Sequence, residues 1–155
     1  MVEFKGEWND EWYQAWIQRM HDSGGNIIAA LALRPIEESA ERVVVEMPMG
    51  PNVRQGTGVF AAGSLIQLAD LAATMLCFQI VDPKGDRATA PLPLAVQISC
   101  NLLRNVDHGK AIAEARPLSA GRTFIVVESR ITDEDGRLLA VMNSTHYVRP
   151  RDPSG

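Results

Sequence analysis

Between Val59 and Val81 one side chain carries charge, Asp70, in a run built mostly of Leu, Ile, Ala, Val, Met and Phe. Burying a charged carboxylate among such neighbours is costly unless it has a partner or a task. A desolvated aspartate can attack a carbonyl carbon directly or take a proton from a water that does so. Thr74 follows one helical turn later, within hydrogen-bond reach on the same face. At the start of the run, Ala62 and Gly63 fall where a helix begins. Unpaired N–H groups at a helix N-terminus, with the partial positive charge there, polarise a carbonyl oxygen. Hydrolysis of a thioester is one reaction with these needs: a polarised carbonyl, a nucleophile or base, and a place for the leaving thiol.

Ala62 and Asp70 are eight residues apart, which is about 12 Å along one helix. One carbonyl cannot touch both from the same helix. A site that uses both therefore joins the helix N-terminus of one subunit to Asp70 of another. This predicts an obligate dimer with two antiparallel central helices and two shared sites.

The same residues have plainer readings. Taken alone, Asp70 is a structural carboxylate satisfied by backbone or by Thr74, and Thr74 is a helix residue bonding back to its own backbone. Ser64 and Gln67 form an S-x-x-Q pattern that reads as a capping box, which would move the helix start and its free N–H groups two residues on. His21, His108 and His146 have no metal spacing, and His146 reads as a packed, satisfied strand residue. Cys77 and Cys100 lie in apolar surroundings without metal-type spacing, so a reduced, cytoplasmic protein is expected.

The elements that must position these groups follow from the pattern. A helix is predicted over 11–22, with Trp12, Trp16 and Met20 at helical spacing and Ser23-Gly24-Gly25 ending it. Residues 27–37 are apolar and lead to a turn, 42–47 reads as a strand, and 48–58 as a loop with Pro, Asn and Gly. The apolar run is too long for a strand and becomes a helix over 62–80, apolar almost all round and so buried on most sides. Four strands follow, over 92–103, 110–118, 122–132 and 137–149, the last pair joined by the hairpin signal Asp133-Glu134-Asp135-Gly136. Read as a four-strand meander, they would form a curved antiparallel sheet able to cover one apolar helix. The predicted architecture is α+β, a hot-dog fold of five to six strands around a long central helix. Residues 1–26 form a helical extension bearing Trp8, Trp12 and Trp16, residues 27–149 a single domain, and residues 150–155 a flexible tail.

Composition narrows the function classes. The chain has 155 residues and a net charge of −4, enough for one core and against non-specific nucleic-acid binding. The charge is uneven: residues 1–50 hold nine acids against four bases, and residues 87–151 hold nine bases, nearly all arginine, against six acids. Arginine suits phosphate and carboxylate recognition. The apolar run is long enough for a membrane span, but Asp70, Gln67 and Gln79 argue against one, so no membrane partner is expected.

Several of these residues also fall into a known pattern. Gln55, Gly58, Gly63 and Leu68-Ala69-Asp70 resemble the signature of hot-dog acyl-CoA thioesterases, in the 4-hydroxybenzoyl-CoA thioesterase/PaaI-like branch. Asn101-Leu102-Leu103-Arg104, Gly121-Arg122-Thr123 and the stretch from Asp133 to Ala140 resemble further motifs of that branch, so the likeness spans about residues 28–149. It implies an acyl-CoA substrate, with Asp70 as nucleophile or general base assisted by Thr74. Gln55 and the Ala62 or Gly63 N–H would hold the thioester oxygen. Arg104, Arg122 and Thr123 would meet the nucleotide of coenzyme A, with His108, Lys110, Arg149 or Arg151 as further candidates. The resemblance also implies a homodimer or dimer of dimers, and neither metal nor redox cofactor. One motif departs: Ala61-Ala62-Gly63 stands where the branch has His-Gly-Gly. Alanine still supplies a backbone N–H, and helical dihedrals do not require glycine. The departure motivates a second expectation, a hot-dog protein that binds acyl-CoA or another small ligand without turnover. A dehydratase would need a histidine near Asp70, which the sequence lacks.

Overall fold

A computed structural model describes residues 27–85 and 90–150, together with positions 11, 15, 18 and 22, which are helical and exposed. Trp8, Trp12, Trp16, His21 and the tail from Arg151 on lie outside the described residues. The elements are α1 (Ile27–Ala30), β1 (Arg34–Glu38), β2 (Val43–Pro48), α2 (Ala62–Val81), β3 (Leu92–Leu102), β4 (Lys110–Ala120), β5 (Phe124–Asp133) and β6 (Leu138–Arg149). All six strands belong to one sheet in the order β1-β2-β4-β5-β6-β3, every neighbouring pair antiparallel. This is the hot-dog architecture, with α2 packed against the concave face.

Alternation sets the sheet's two faces. Ala111, Ala113 and Ala115 of β4, Ile125, Val127 and Ile131 of β5, and Ala140 and Met142 of β6 are fully buried. Small residues on β4, together with Ala69, Ala72 and Ala73 of α2, let helix and sheet approach closely in one continuous core. By length and apolarity α2 would also suit a membrane span. Half of that apolar stretch is instead buried inside the domain, where the helix packs on the sheet.

The structure departs from the sequence expectation in four places. Residues 27–37 divide into a short helix and an edge strand. The four later strands are not a meander: β4, β5 and β6 are consecutive neighbours, but β3 crosses to the far side of β6, because β2 occupies the free side of β4. Strand β5 starts at Phe124, since the Gly121 N–H bonds to the Phe124 carbonyl at 2.9 Å and closes a turn over Arg122 and Thr123; the Thr123 carbonyl still accepts the Val148 N–H of β6 at 2.8 Å. Finally, α2 is not covered on most sides. A stripe containing Ile66, Gln67, Asp70 and Thr74 stays half-buried, where helical spacing puts them on one face.

The two sheet edges differ in kind. β1 is five residues long, carries Pro35 and a bulge, and bears Glu37 and Glu38, devices that discourage further pairing. β3 is eleven residues long. Ile98, Cys100 and Leu102 pair with the buried Ser144, Met142 and Ala140, so they face the concave side. Ile98 and Leu102 are nevertheless 43% and 47% exposed. Among the described residues β3 thus presents a long edge with exposed apolar side chains on the face that α2 packs against.

Candidate active site

Helix α2 begins at Ala62, after an N-cap residue, Ala61, in extended conformation (φ −67°, ψ 139°) with no side-chain cap. Ser64 and Leu65 donate their N–H groups to the Ala61 carbonyl at 3.1 and 3.2 Å. Ala62 and Gly63 are exposed, and among the described residues their N–H groups have no acceptor. The capping-box expectation therefore fails. Ser64 lies inside the first turn, and its hydroxyl reaches back to the carbonyls of Ala61 (2.7 Å) and Val53 (3.0 Å) rather than forward to an N–H. The free N–H pair stays at residues 62 and 63.

Asp70 sits two turns further on, in the half-open stripe. Its Oδ1 is buried and, among the described residues, has no hydrogen-bond partner; no bond to Thr74 forms within the chain. Burial holds the carboxyl above the ordinary aspartate range. Cys77, two turns beyond Asp70, is fully buried, and its thiol is pushed up to about 12, first by burial and then by the charge on Asp70. A thiol so protonated at neutral pH is no nucleophile. Asp70 is thus the one ionisable side chain of the stripe available for chemistry.

Gln55 lies in the tight loop before α2, where its N–H bonds to the Val59 carbonyl and its own carbonyl accepts from Gly58, both at 2.9 Å. Gly58 takes φ +93°, which favours glycine at that turn. The Gln55 side chain is exposed and donates to Thr57 Oγ1 at 2.9 Å. Asn105 ties the same loop to the sheet: its Nδ2 donates to the Phe60 carbonyl at 2.8 Å, and the Phe60 N–H reaches the Val106 carbonyl at 3.3 Å. Arg104 precedes it, exposed, at the end of β3 that adjoins the helix N-terminus.

Arg122 and Thr123 are exposed at the opposite end of the sheet. They precede Phe124, which pairs with Tyr147, and Leu94 near the start of β3 pairs with the same Tyr147. Arg104 lies beyond the other end of β3, roughly 30 Å away at strand rise. One chain therefore does not gather Arg104, Arg122 and Thr123. Of the other cations considered, Lys110 is bound to Glu46 at 2.6 Å, and His108 pairs with Asp107 at 2.6 Å, which raises its pKa. Among the described residues no group of His, Cys, Asp or Glu is arranged to hold a metal.

His146 corrects another expectation. It is fully buried on β6 with Nε2 3.0 Å from Ser144 Oγ, but among the described residues Nδ1 has no partner. Burial lowers its pKa below the ordinary histidine value. Below about pH 6.5 the unfolded chain takes up a proton that the folded chain refuses, so this group costs stability as pH falls through that value. His146→Gln is expected to flatten the drop in thermal midpoint between pH 7.5 and 5.5, as read by circular dichroism.

A six-stranded hot-dog domain with open N–H groups at the start of its helix, and a partnerless carboxylate midway along it, defines the class of molecule. The chain belongs to the Thioesterase superfamily, whose sequence profile matches residues 57–140. It is similar to a Bacillus subtilis protein named "Putative esterase ComA2", 31% identical over 82% of this chain and 97% of that one. It is also similar to a 1,4-dihydroxy-2-naphthoyl-CoA hydrolase of Listeria monocytogenes, 26% identical over 71% of this chain and 85% of that one. Among solved structures, a mutant of the thioesterase PA1618 of Pseudomonas aeruginosa superposes with a TM-score of 0.76 at 23% identity, covering 87% of this chain and 94% of that one. A Streptococcus pneumoniae hypothetical thioesterase solved with coenzyme A gives 0.67 at 18% identity, covering 77% and 90%.

Proposed function

We propose that this protein hydrolyses acyl-CoA thioesters to the free acid and coenzyme A, at two sites shared across a homodimer. The observation that carries the reading is the partnerless, desolvated Asp70 on an open helix stripe, with two free N–H groups about 12 Å away on the same helix. Two antiparallel copies of α2 would bring Asp70 of one subunit to Ala62 and Gly63 of the other. The long uncovered edge of β3 supports that arrangement. Antiparallel pairing of two such edges extends the sheet to twelve strands and covers Ile98, Cys100 and Leu102.

In this reading the Ala62 and Gly63 N–H groups, with Gln55, take the developing charge on the thioester oxygen. Asp70 either attacks the carbonyl carbon or takes a proton from an attacking water. In the first case the C–S bond breaks, the coenzyme A thiolate leaves, and water then cleaves the acyl-aspartyl anhydride. In the second the attack of the water expels the same thiolate. The thiolate is protonated as it leaves, and Thr74 is free to donate to the second Asp70 oxygen. The same twofold axis sets Arg104 of one subunit towards the Arg122-Thr123 end of the other, a basic rim for the nucleotide of coenzyme A. The pneumococcal structure with coenzyme A supports that ligand. No metal enters the scheme, and a reduced cytoplasmic setting suits its free thiols.

A panel of benzoyl-, phenylacetyl-, 1,4-dihydroxy-2-naphthoyl- and hexanoyl-CoA, followed by a free-thiol reagent, tests the reaction; the naphthoyl compound is included because the Listeria relative is named for it. Thiol release at an enzymatic rate from one of them is the expected result. Saturable binding with no release would favour the second reading, an acyl-CoA binding protein. The Gln55 side chain, engaged with Thr57 rather than free, is the observation on that side.

A further inference from the structure

Resting on the thioesterase reading, we propose that Ser64 is a positioning residue that aims the Ala62 N–H. A peptide unit is planar, so the carbonyl of residue 61 and the N–H of residue 62 point in opposite directions and turn together. Whatever holds the Ala61 carbonyl also aims the Ala62 N–H. That carbonyl accepts from the Ser64 N–H, the Leu65 N–H and, at 2.7 Å, the Ser64 hydroxyl. The preceding peptide is held as well: the Phe60 carbonyl takes the Asn105 amide at 2.8 Å, and the Ala61 N–H bonds to the Val53 carbonyl at 2.7 Å.

Ser64 links these two systems. The residue is only 6% exposed, and its hydroxyl lies between the Ala61 and Val53 carbonyls, at 2.7 and 3.0 Å. One hydroxyl proton serves one acceptor at a time, so the group ties the helix start to the Val53 end of the loop by alternation. Ala61 has no side chain that could do this, and the helix has no side-chain cap. Ser64 touches neither the substrate carbonyl nor Asp70. It acts through the peptide plane whose N–H faces the site.

The test uses Ser64→Ala and Ser64→Thr in the full chain, assayed on whichever acyl-CoA the wild type turns over best. Ser64→Ala is expected to lower kcat about tenfold or more, with KM within about twofold and the pH profile unchanged, since only a transition-state contact is misaligned. Ser64→Thr, which keeps the hydroxyl, is expected to recover most of kcat. A Ser64→Ala kcat within twofold of wild type, a change confined to KM, or a Thr variant no better than Ala overturns the proposal. Hydrogen exchange over residues 53–66 reads the pin without turnover: the Ala61 and Leu65 amides should exchange faster in Ser64→Ala, and unchanged exchange also overturns it. Should the wild type release no thiol at all, the thioesterase reading fails by itself, and the exchange experiment still decides whether Ser64 pins the turn.

Discussion

Asp70→Asn is expected to lower kcat on a hydrolysed acyl-CoA by about 10²–10⁴-fold, the range lost with a positioned acid–base group, and at the same time to make the protein harder to unfold. The substitution keeps shape and removes charge. Asp70 Oδ1 is buried without a partner, and burial raises its pKa. The folded chain therefore holds this proton to higher pH than the unfolded chain, whose aspartate titrates near 3.9. Stability from the neutral form is complete below that value and is lost as pH rises through the folded value. At neutral pH the charged, desolvated carboxylate works against folding, and asparagine carries no such charge. The thermal midpoint of Asp70→Asn should exceed that of the wild type at pH 7.5, and the gap should narrow towards pH 4. A structural carboxylate bound by backbone or Thr74 predicts the reverse, since its loss would break a bond. A variant that keeps wild-type turnover removes Asp70 from its assigned role, and one that is less stable at pH 7.5 shows that the carboxylate is held by a partner group.

Part of this molecule can be read in its sequence because the signals are local. A twenty-residue helix with one charge is visible as composition, and the hairpin at Asp133–Gly136 is visible as turn chemistry. There Asp133 Oδ1 accepts the N–H groups of Asp135 and Arg137, and Gly136 takes φ +80°. Strand partners are another matter. Alternation says which face a residue joins, not which strand lies beside it, so the return of β3 to β6 has no local trace. Ser64 fails to show itself for a related reason. A serine hydroxyl can bond forward to an N–H or back to a carbonyl, and here the Val53 carbonyl, eleven residues earlier in the chain, lies within its reach. The proposed basic rim illustrates the limit most clearly. Arg104 and Arg122 each fit their motif, yet opposite ends of one sheet separate them, and only a second subunit could join them.

Ala62→Pro gives the sharpest test of a site shared between chains. Ala62 is the first helical residue, a position where proline is readily accepted because its N–H has no helical acceptor. Ala61 already has the extended conformation (ψ 139°) that a following proline requires. The exchange therefore deletes one proposed oxyanion donor and leaves the fold's own hydrogen bonds intact. Loss of one such donor corresponds to about 10²–10³-fold in kcat. Asp70→Asn disables the other half. If each site joined both halves within one chain, the two variants together would be no better than either alone. In a twofold dimer with crossed sites, the heterodimer keeps one complete site: the N–H groups of the Asp70→Asn chain face the intact Asp70 of the Ala62→Pro chain. Its second site lacks both halves. Co-expressing the two chains with different affinity tags and purifying through both should return about half the wild-type activity per dimer, against parents that are each nearly inactive. Activity no greater than the sum of the parents would place Asp70 and the helix N-terminus in separate functions, and the roughly 12 Å between them would then be a distance within one subunit and nothing more.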